Sequence, residues 1–263
     1  MRRGNIFWGV VLIVLGLLFL LQTSGLLSDV FGWFWPIFLM LLGGWILTGH
    51  MFPQWRGSSS DDPFSINLQG AMQLALGFDQ GVGSLQVAGG APTGVALTGI
   101  QAAAMDVKTR LSGDRLEVKI EAGPSFIPFL GPDSGVWRFQ VNQDVPLTLD
   151  VGAGMSSLDF DLTDLKVTRM KVSTGASSVK VKLPVNAGHT LLDIDSGVTT
   201  LDVSVPQGVA ACLRLNQGAS TTDIDQSRFP MESSGFYRSS GYEDAANKVE
   251  INLNGGANTV KVW

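Results

Sequence analysis

Few residues in this chain have the type and spacing that catalysis or metal binding needs. His50 and His189 are its only histidines, which nearly removes His-based triads and His-rich metal sites. Cys212 is its only cysteine, so no intrachain disulfide can form and cysteine usage does not fix a redox compartment. Asp223 and Asp225 lie two apart, on one face of a strand, where they could share a divalent cation. A row of solvated carboxylates accounts for them better, and the dense Gly-Asp nonapeptides of a Ca²⁺-binding solenoid are absent. Asp193 and Asp195 are read as poor partners for each other. G-x-G fragments at Gly81-Gly83 and Gly152-Gly154 have neither the G-x-x-x-x-G-K-[ST] loop nor the strand–GxGxxG–helix context, so they read as bends. Paired carboxylates for glycoside hydrolysis stay open, because repeat β folds host such enzymes; the membrane orientation argued below speaks against them. The expectation is a non-enzymatic protein with no catalytic residue, cofactor or metal.

Binding is the better prospect. The run Phe126, Ile127, Pro128, Phe129, Leu130 is an apolar tip flanked by Pro and Gly. It either docks on lipid or a partner, or caps an open end of the fold. A second aromatic excursion holds Phe236, Tyr237, Arg238 and Tyr242, and is either a contact surface or a cover over a sheet face. Net charge is −5; setting aside Arg2, Arg3, Arg56 and Asp29 leaves 15 basic against 22 acidic residues, or −7. No basic face for nucleic acid is visible in such a balance.

The elements that would position these residues come from a repeat. Six copies of the pattern apolar-x-apolar-x-x-Gly-x-(Ser/Thr)-(Ser/Thr)-x-x-apolar are anchored on Gly81, Gly154, Gly175, Gly197, Gly218 and Gly256. Apolar residues two apart mean strands with one buried face. The glycine breaks the alternation, which predicts a bend there, with positive φ as the reason for glycine. Spacings of 21, 22 and 21 residues from Gly154 to Gly218 fit one coil of a β-solenoid made of two short strands, each coil stacked on the next. The Ser/Thr set three after the glycine (Ser84, Ser157, Ser178, Thr200, Thr221, Thr259) is expected to form a hydroxyl ladder at the bend. Outward charges support the register: Asp150, Lys171, Asp193, Arg214 and Asp159, Lys180, Asp202, Asp223, Lys261 largely alternate in sign along the chain. Two stretches break the period. Gly81 to Gly154 contains a hairpin pattern, Met105–Leu111 and Arg115–Glu121, joined at Ser112-Gly113-Asp114; Gly218 to Gly256 contains the Phe236–Tyr242 insert.

Ahead of the repeat lie two uncharged apolar runs, at about 6–27 and 30–52, each long enough to cross a bilayer core as a helix. Trp33, Trp35 and Trp55 suit headgroup level, and Gly43-Gly44 allow close helix approach. No A-x-A-like cleavage site follows the first run, which argues against a removable signal peptide. The predicted organisation is a two-helix transmembrane hairpin over 1–55, a linker RGSSSDDP over 56–63, and an all-β repeat domain, a single-stranded β-solenoid, over 64–263. Arg2, Arg3 and Arg56 flank the hairpin, while the 22–29 connection has no Lys or Arg. The positive-inside rule then places both ends, and the β domain, in the cytoplasm.

These residues resemble a known combination. FGWFWPIFLMLLGGWIL resembles the transmembrane region shared by LiaI and LiaF proteins of bacteria. VSTGASSVKVKLP and VEINLNGGANTVKVW look like the toastrack β-solenoid domain of LiaF-like and adhesin-like membrane proteins. The resemblance implies a right-handed solenoid and a role in cell-envelope stress sensing at the bacterial cell membrane, by restraint of a membrane histidine kinase of a two-component system. The alternative is a self-associating membrane scaffold or adhesin-like structural protein. The partners implied are the lipid bilayer, the kinase or another membrane protein, and a second copy of the chain. Some relatives have more than two spans, and no family site residue carries over.

Overall fold

Apolar residues at every second position on either side of a glycine give one long strand per repeat. The computed structural model describes residues 63–100, 105–122 and 136–263. The chain divides into two compact units, Met1–Ser58 and Ser59–Trp263, and the described residues fall in the second. Both apolar runs expected to span a membrane, and the Phe126–Leu130 tip, lie outside the described residues.

Among the described residues the strands are β1 (Pro63–Asn67), β2 (Gln73–Gly89), β3 (Val95–Ile100), β4 (Met105–Ser112), β5 (Arg115–Ala122), β6 (Val136–Val141), β7 (Leu147–Asp161), β8 (Val167–Lys182), β9 (His189–Ser204), β10 (Ala210–Ile224), β11 (Met231–Ser233), β12 (Phe236–Arg238) and β13 (Lys248–Val262). The fold is all-β. The six glycine-centred strands β2, β7, β8, β9, β13 and β10 pair in parallel, in that spatial order. Each is one continuous strand of 15–17 residues, not the two short strands the spacing suggested. A seventh rung is split: β5 pairs with Gln73–Asp79 of β2 and β6 with Ser84–Gly89. The β4–β5 hairpin turns at Gly113, with φ 62°, as its sequence foretold. On the other half, β3 pairs antiparallel with β6 and β1 with β3.

The bend works by parity. In β8, Met170, Val172 and Thr174 face inward before the glycine, and Val179 and Val181 after it; Gly175 and Ala176 both face out. Two consecutive outward residues switch the buried set from even to odd positions. None of the six repeat glycines has a positive φ, so the expected reason for glycine is wrong. Crowding is the reason. A Cβ on Gly197 would stand 2.6 Å from the Gly175 carbonyl oxygen, on Gly256 2.8 Å from that of Gly197, and on Gly218 2.8 Å from that of Gly256. Gly81, which has no such rung beyond it, would meet nothing within 4 Å.

Stacking turns the inward positions into ladders. Leu149, Met170, Leu192, Ile251 and Leu213 form one, and Leu158, Val179, Leu201 and Val260 another, all at 1% exposure or less. Each such side chain is worth about 1.5–3 kcal/mol of burial. The expected hydroxyl ladder is displaced. Residues three after the glycine face solvent, apart from half-buried Ser84. The inward polar residues are instead one before and two after it: Ser177 Oγ donates to Thr174 Oγ1 at 2.9 Å and pairs with Thr199 Oγ1 at 2.8 Å, while Ser196 Oγ donates to Asn258 Oδ1 at 3.1 Å. The parity switch moves the ladder by one residue. Bonding to one another satisfies the Thr174, Ser177 and Thr199 hydroxyls and the Asn258 Oδ1, while the Asn258 Nδ2 and, in the same row, the Ser156 Oγ are buried without a partner.

The rung order also departs from expectation. Coils were expected to stack in chain order, yet β13, the last copy, enters between β9 and β10.

Candidate functional site

The repeat presents its polar side chains outward in registered rows. Five after the glycine, the row runs Asp159, Lys180, Asp202, Lys261, Asp223, with strict sign alternation. Four before it, the row runs Asp150, Lys171, Asp193, Asn252, Arg214. Asn252 Nδ2 donates to Asp193 Oδ1 at 3.0 Å, and Arg169 Nη2 to Asp193 Oδ2 at 2.8 Å. Asn254 Nδ2 donates to Asp195 Oδ1 at 3.1 Å. Asp193 and Asp195 therefore engage amide and guanidinium neighbours, not each other.

At the C-terminal end, β12 pairs antiparallel with Cys212–Arg214 of β10 and carries β11 beside it. This hairpin walls a groove of about 530 Å³ floored by Asp193, Arg214, Asn216, Asn252 and Asn254. Phe236, one of the expected contact residues, is half-buried on that wall, with the Arg214 and Arg238 guanidinium groups 5.7 and 5.8 Å from its ring. Tyr237 points the other way and joins the core at 7% exposure. Tyr242 is also buried, lies 5.4 Å from the Lys248 ammonium, and has its phenol pushed up to about 12 by burial. The structure thus separates the three aromatics, placing one at the groove and two in packing positions.

A second groove, of about 540 Å³, lies among Gln86, Thr98, Arg138, Gln140, Asp159, Asp161 and Lys182. Arg138 and the Lys182–Asp161 pair are each engaged with a neighbour. Arg138 Nε donates to Gln86 Oε1 at 3.0 Å, and Lys182 Nζ to Asp161 Oδ2 at 2.8 Å. The Lys182 bond, helped by the Thr163 hydroxyl, holds the Asp161 carboxyl below its ordinary range.

Burial pushes the Cys212 thiol up, the opposite of what a nucleophilic thiolate needs. Asp225 accepts from the Ser227 hydroxyl and amide, which lowers its pKa and ties it into a local turn apart from Asp223. Among the described residues no group of three or more His, Cys, Asp or Glu is placed to hold a metal. What the surface offers is recognition: charged rows, a polar groove with one aromatic wall, and the row just after the glycines. That last row escaped the sequence reading, although the pattern's variable position after each glycine could have revealed it.

No curated protein matches the chain. A solved structure of a cell adhesion candidate from Clostridium sporogenes ATCC 15579 superposes with a TM-score of 0.68, covering 77% of this chain and 98% of that one at 19% identity, and this shows a shared fold alone. An adhesin candidate from Bacteroides fragilis NCTC 9343, 8% identical over 77% of this chain and 96% of that one, reaches a TM-score of only 0.30 and carries no argument. Residues 7–75 match the model of the LiaF transmembrane domain. The model for the N-terminal domain of toast_rack matches residues 55–204, more than half of the chain, and the chain therefore belongs to the toast_rack family.

Proposed function

We propose that this protein is a non-enzymatic regulator of the bacterial cell-envelope stress response, tethered by its N-terminal segment and acting through contact with a membrane histidine kinase. The observation that carries this reading is the occurrence of both matches, LiaF transmembrane domain and toast_rack, on one chain. The outward carboxylates Asp161 and Asp193 at the two grooves are hydrogen-bonded to neighbours, which suits recognition better than proton transfer. In this reading the hairpin spans the bilayer twice and Arg2, Arg3 and Arg56 keep the β domain in the cytoplasm.

Deleting the gene and following an envelope-stress reporter with and without a cell-wall-active agent tests the role. Altered basal or induced expression, restored by the full chain, is the expected result; an unchanged reporter would refute the regulator. A phosphatase or a fluorescent reporter fused after Trp263 tests orientation, with phosphatase activity refuting the cytoplasmic placement.

A further inference from the structure

Beyond that reading, and resting on it only for the membrane tether, we propose that two copies of the chain dock face to face through the outward row that follows the repeat glycines. In spatial order this row is Val82, Met155, Ala176, Val198, Ala257, Ala219, fixed by the rung pairing. All six face solvent, and Met155 and Val198 are 60% and 57% exposed. The next outward row is Ser84, Ser157, Ser178, Thr200, Thr259, Thr221, and on the other side lies the glycine row. No charge interrupts this face, which at about 4.8 Å per rung is about 24 Å long. Apolar side chains kept exposed in one line, in a fold that buries its other ladders, mark a contact surface.

Self-complementarity identifies the occupant. A two-fold axis lying in the interface, parallel to the strands, reverses rung order and sets each row against itself. Val82 then meets Ala219, Met155 meets Ala257, and Val198 meets Ala176, so every large side chain faces an alanine. Two further rows agree on this register. Ser84, Ser157 and Ser178 face Thr221, Thr259 and Thr200. At the margin, Asp159 lies opposite Lys261, Lys180 opposite Asp202, and Gln86 opposite Asp223. Shifting by one rung either way brings like charges together, Asp159 on Asp202 or Asp159 on Asp223. An axis along the stack through this row would instead set Met155 on Met155 and Val198 on Val198, large on large. The face is small against the roughly 800 Å² per partner of a stable complex. Pairing is therefore weak and suited to chains concentrated by a tether.

The test is disulfide cross-linking of the full chain in membranes, in a Cys212→Ala background, with two differently tagged copies. Met155→Cys in one copy and Ala257→Cys in the other are expected to cross-link on mild oxidation, as are Val82→Cys with Ala219→Cys. Met155→Cys with itself sits three rungs off register, about 14 Å, outside the Cα separation of a disulfide, and is expected to give at least about ten-fold less product. Val198→Lys, at an exposed position, is expected to abolish both cross-links while leaving protease resistance of the domain unchanged. Equal yields from matched and mismatched pairs, or no matched product from a protease-resistant protein, would overturn the proposal.

Discussion

From β2 to β9 each rung in the glycine series lies on the one before it in the chain, whereas at the far end β13 enters between β9 and β10. The same repeat thus stacks in two ways. In chain order, Asp202 of β9 would lie against Asp223 of β10, two like charges about 5 Å apart. Inserting β13 puts Lys261 between them. The core argues the same way. Where other rungs carry Leu85, Leu158, Val179, Leu201 and Val260, β10 carries Thr222, which is exposed. Placing β10 inside would bury that hydroxyl, and placing β13 outermost would uncover Val260 and Val262. A terminal rung with a polar edge ends a stack at lower cost. Chain order governs rung order only while neighbouring rungs suit each other.

The sharpest way to break this comparison is to truncate equivalent core residues on the two strands. Leu253 of β13 is fully buried, whereas Leu215, at the same repeat position on β10, is half-buried. Leu253→Ala is expected to cost about 2–5 kcal/mol in denaturant unfolding, and Leu215→Ala distinctly less. A larger loss at Leu215 would mean that β10, not β13, is the inner strand.

Next in size is the corner. Gly197→Ala drives a methyl to 2.6 Å from a backbone oxygen that cannot step aside, and is expected to cost about 1–3 kcal/mol. Gly81→Ala meets nothing and is expected to stay within about 0.5 kcal/mol. Equal effects on the melting temperature would return the explanation to backbone conformation.

Particular residues show what was legible. The period around Gly154, Gly175 and Gly197 was readable because each copy buries the same positions, and a one-residue slip would expose them. The turn at Gly113 was readable because its chemistry is local. The exchange of β10 and β13 was not seen, although the adjacent acids Asp202 and Asp223 already violated the alternation used as support. The glycine's role was misassigned because a pattern reports that a Cβ is excluded without saying whether φ or a neighbouring rung excludes it. For the candidate site, Phe236 reached the groove, but Tyr237 and Tyr242 did not: alternation along a three-residue strand turns the Tyr237 ring away from that of Phe236, and Tyr242 lies in a turn beyond the strand, where no alternation reports which way a ring points.

Reversing one charge probes the stack order with less force. Lys261→Asp sets three carboxylates side by side across β9, β13 and β10, with Asp202 and Asp223 flanking the substituted position. It is expected to lower stability by about 1 kcal/mol at low salt, fading as salt screens it. The same change at Lys180 is expected to act alike, since it too lies between two acids, Asp159 and Asp202. If only Lys180 responds, β13 does not sit where the pairing puts it.

The smallest expected effect contrasts the two ends. At the β4–β5 end, Glu121 accepts hydrogen bonds from Lys108 and Lys119, which lower its carboxyl from 4.5 to about 2. A lowered pKa means the folded state binds fewer protons than the unfolded one, so the contribution is complete above pH 4.5 and is lost as pH falls toward 2. Glu121→Gln should therefore speed amide exchange of Val107 and Ile120 slightly at neutral pH, and the difference from the parent should close between pH 4.5 and 2. The β11–β12 hairpin, held to β10 at the opposite end, should show no response to this substitution at any pH. A response there would mean that the two ends of the stack unfold together, and that the rungs between them transmit a local charge change as one cooperative unit.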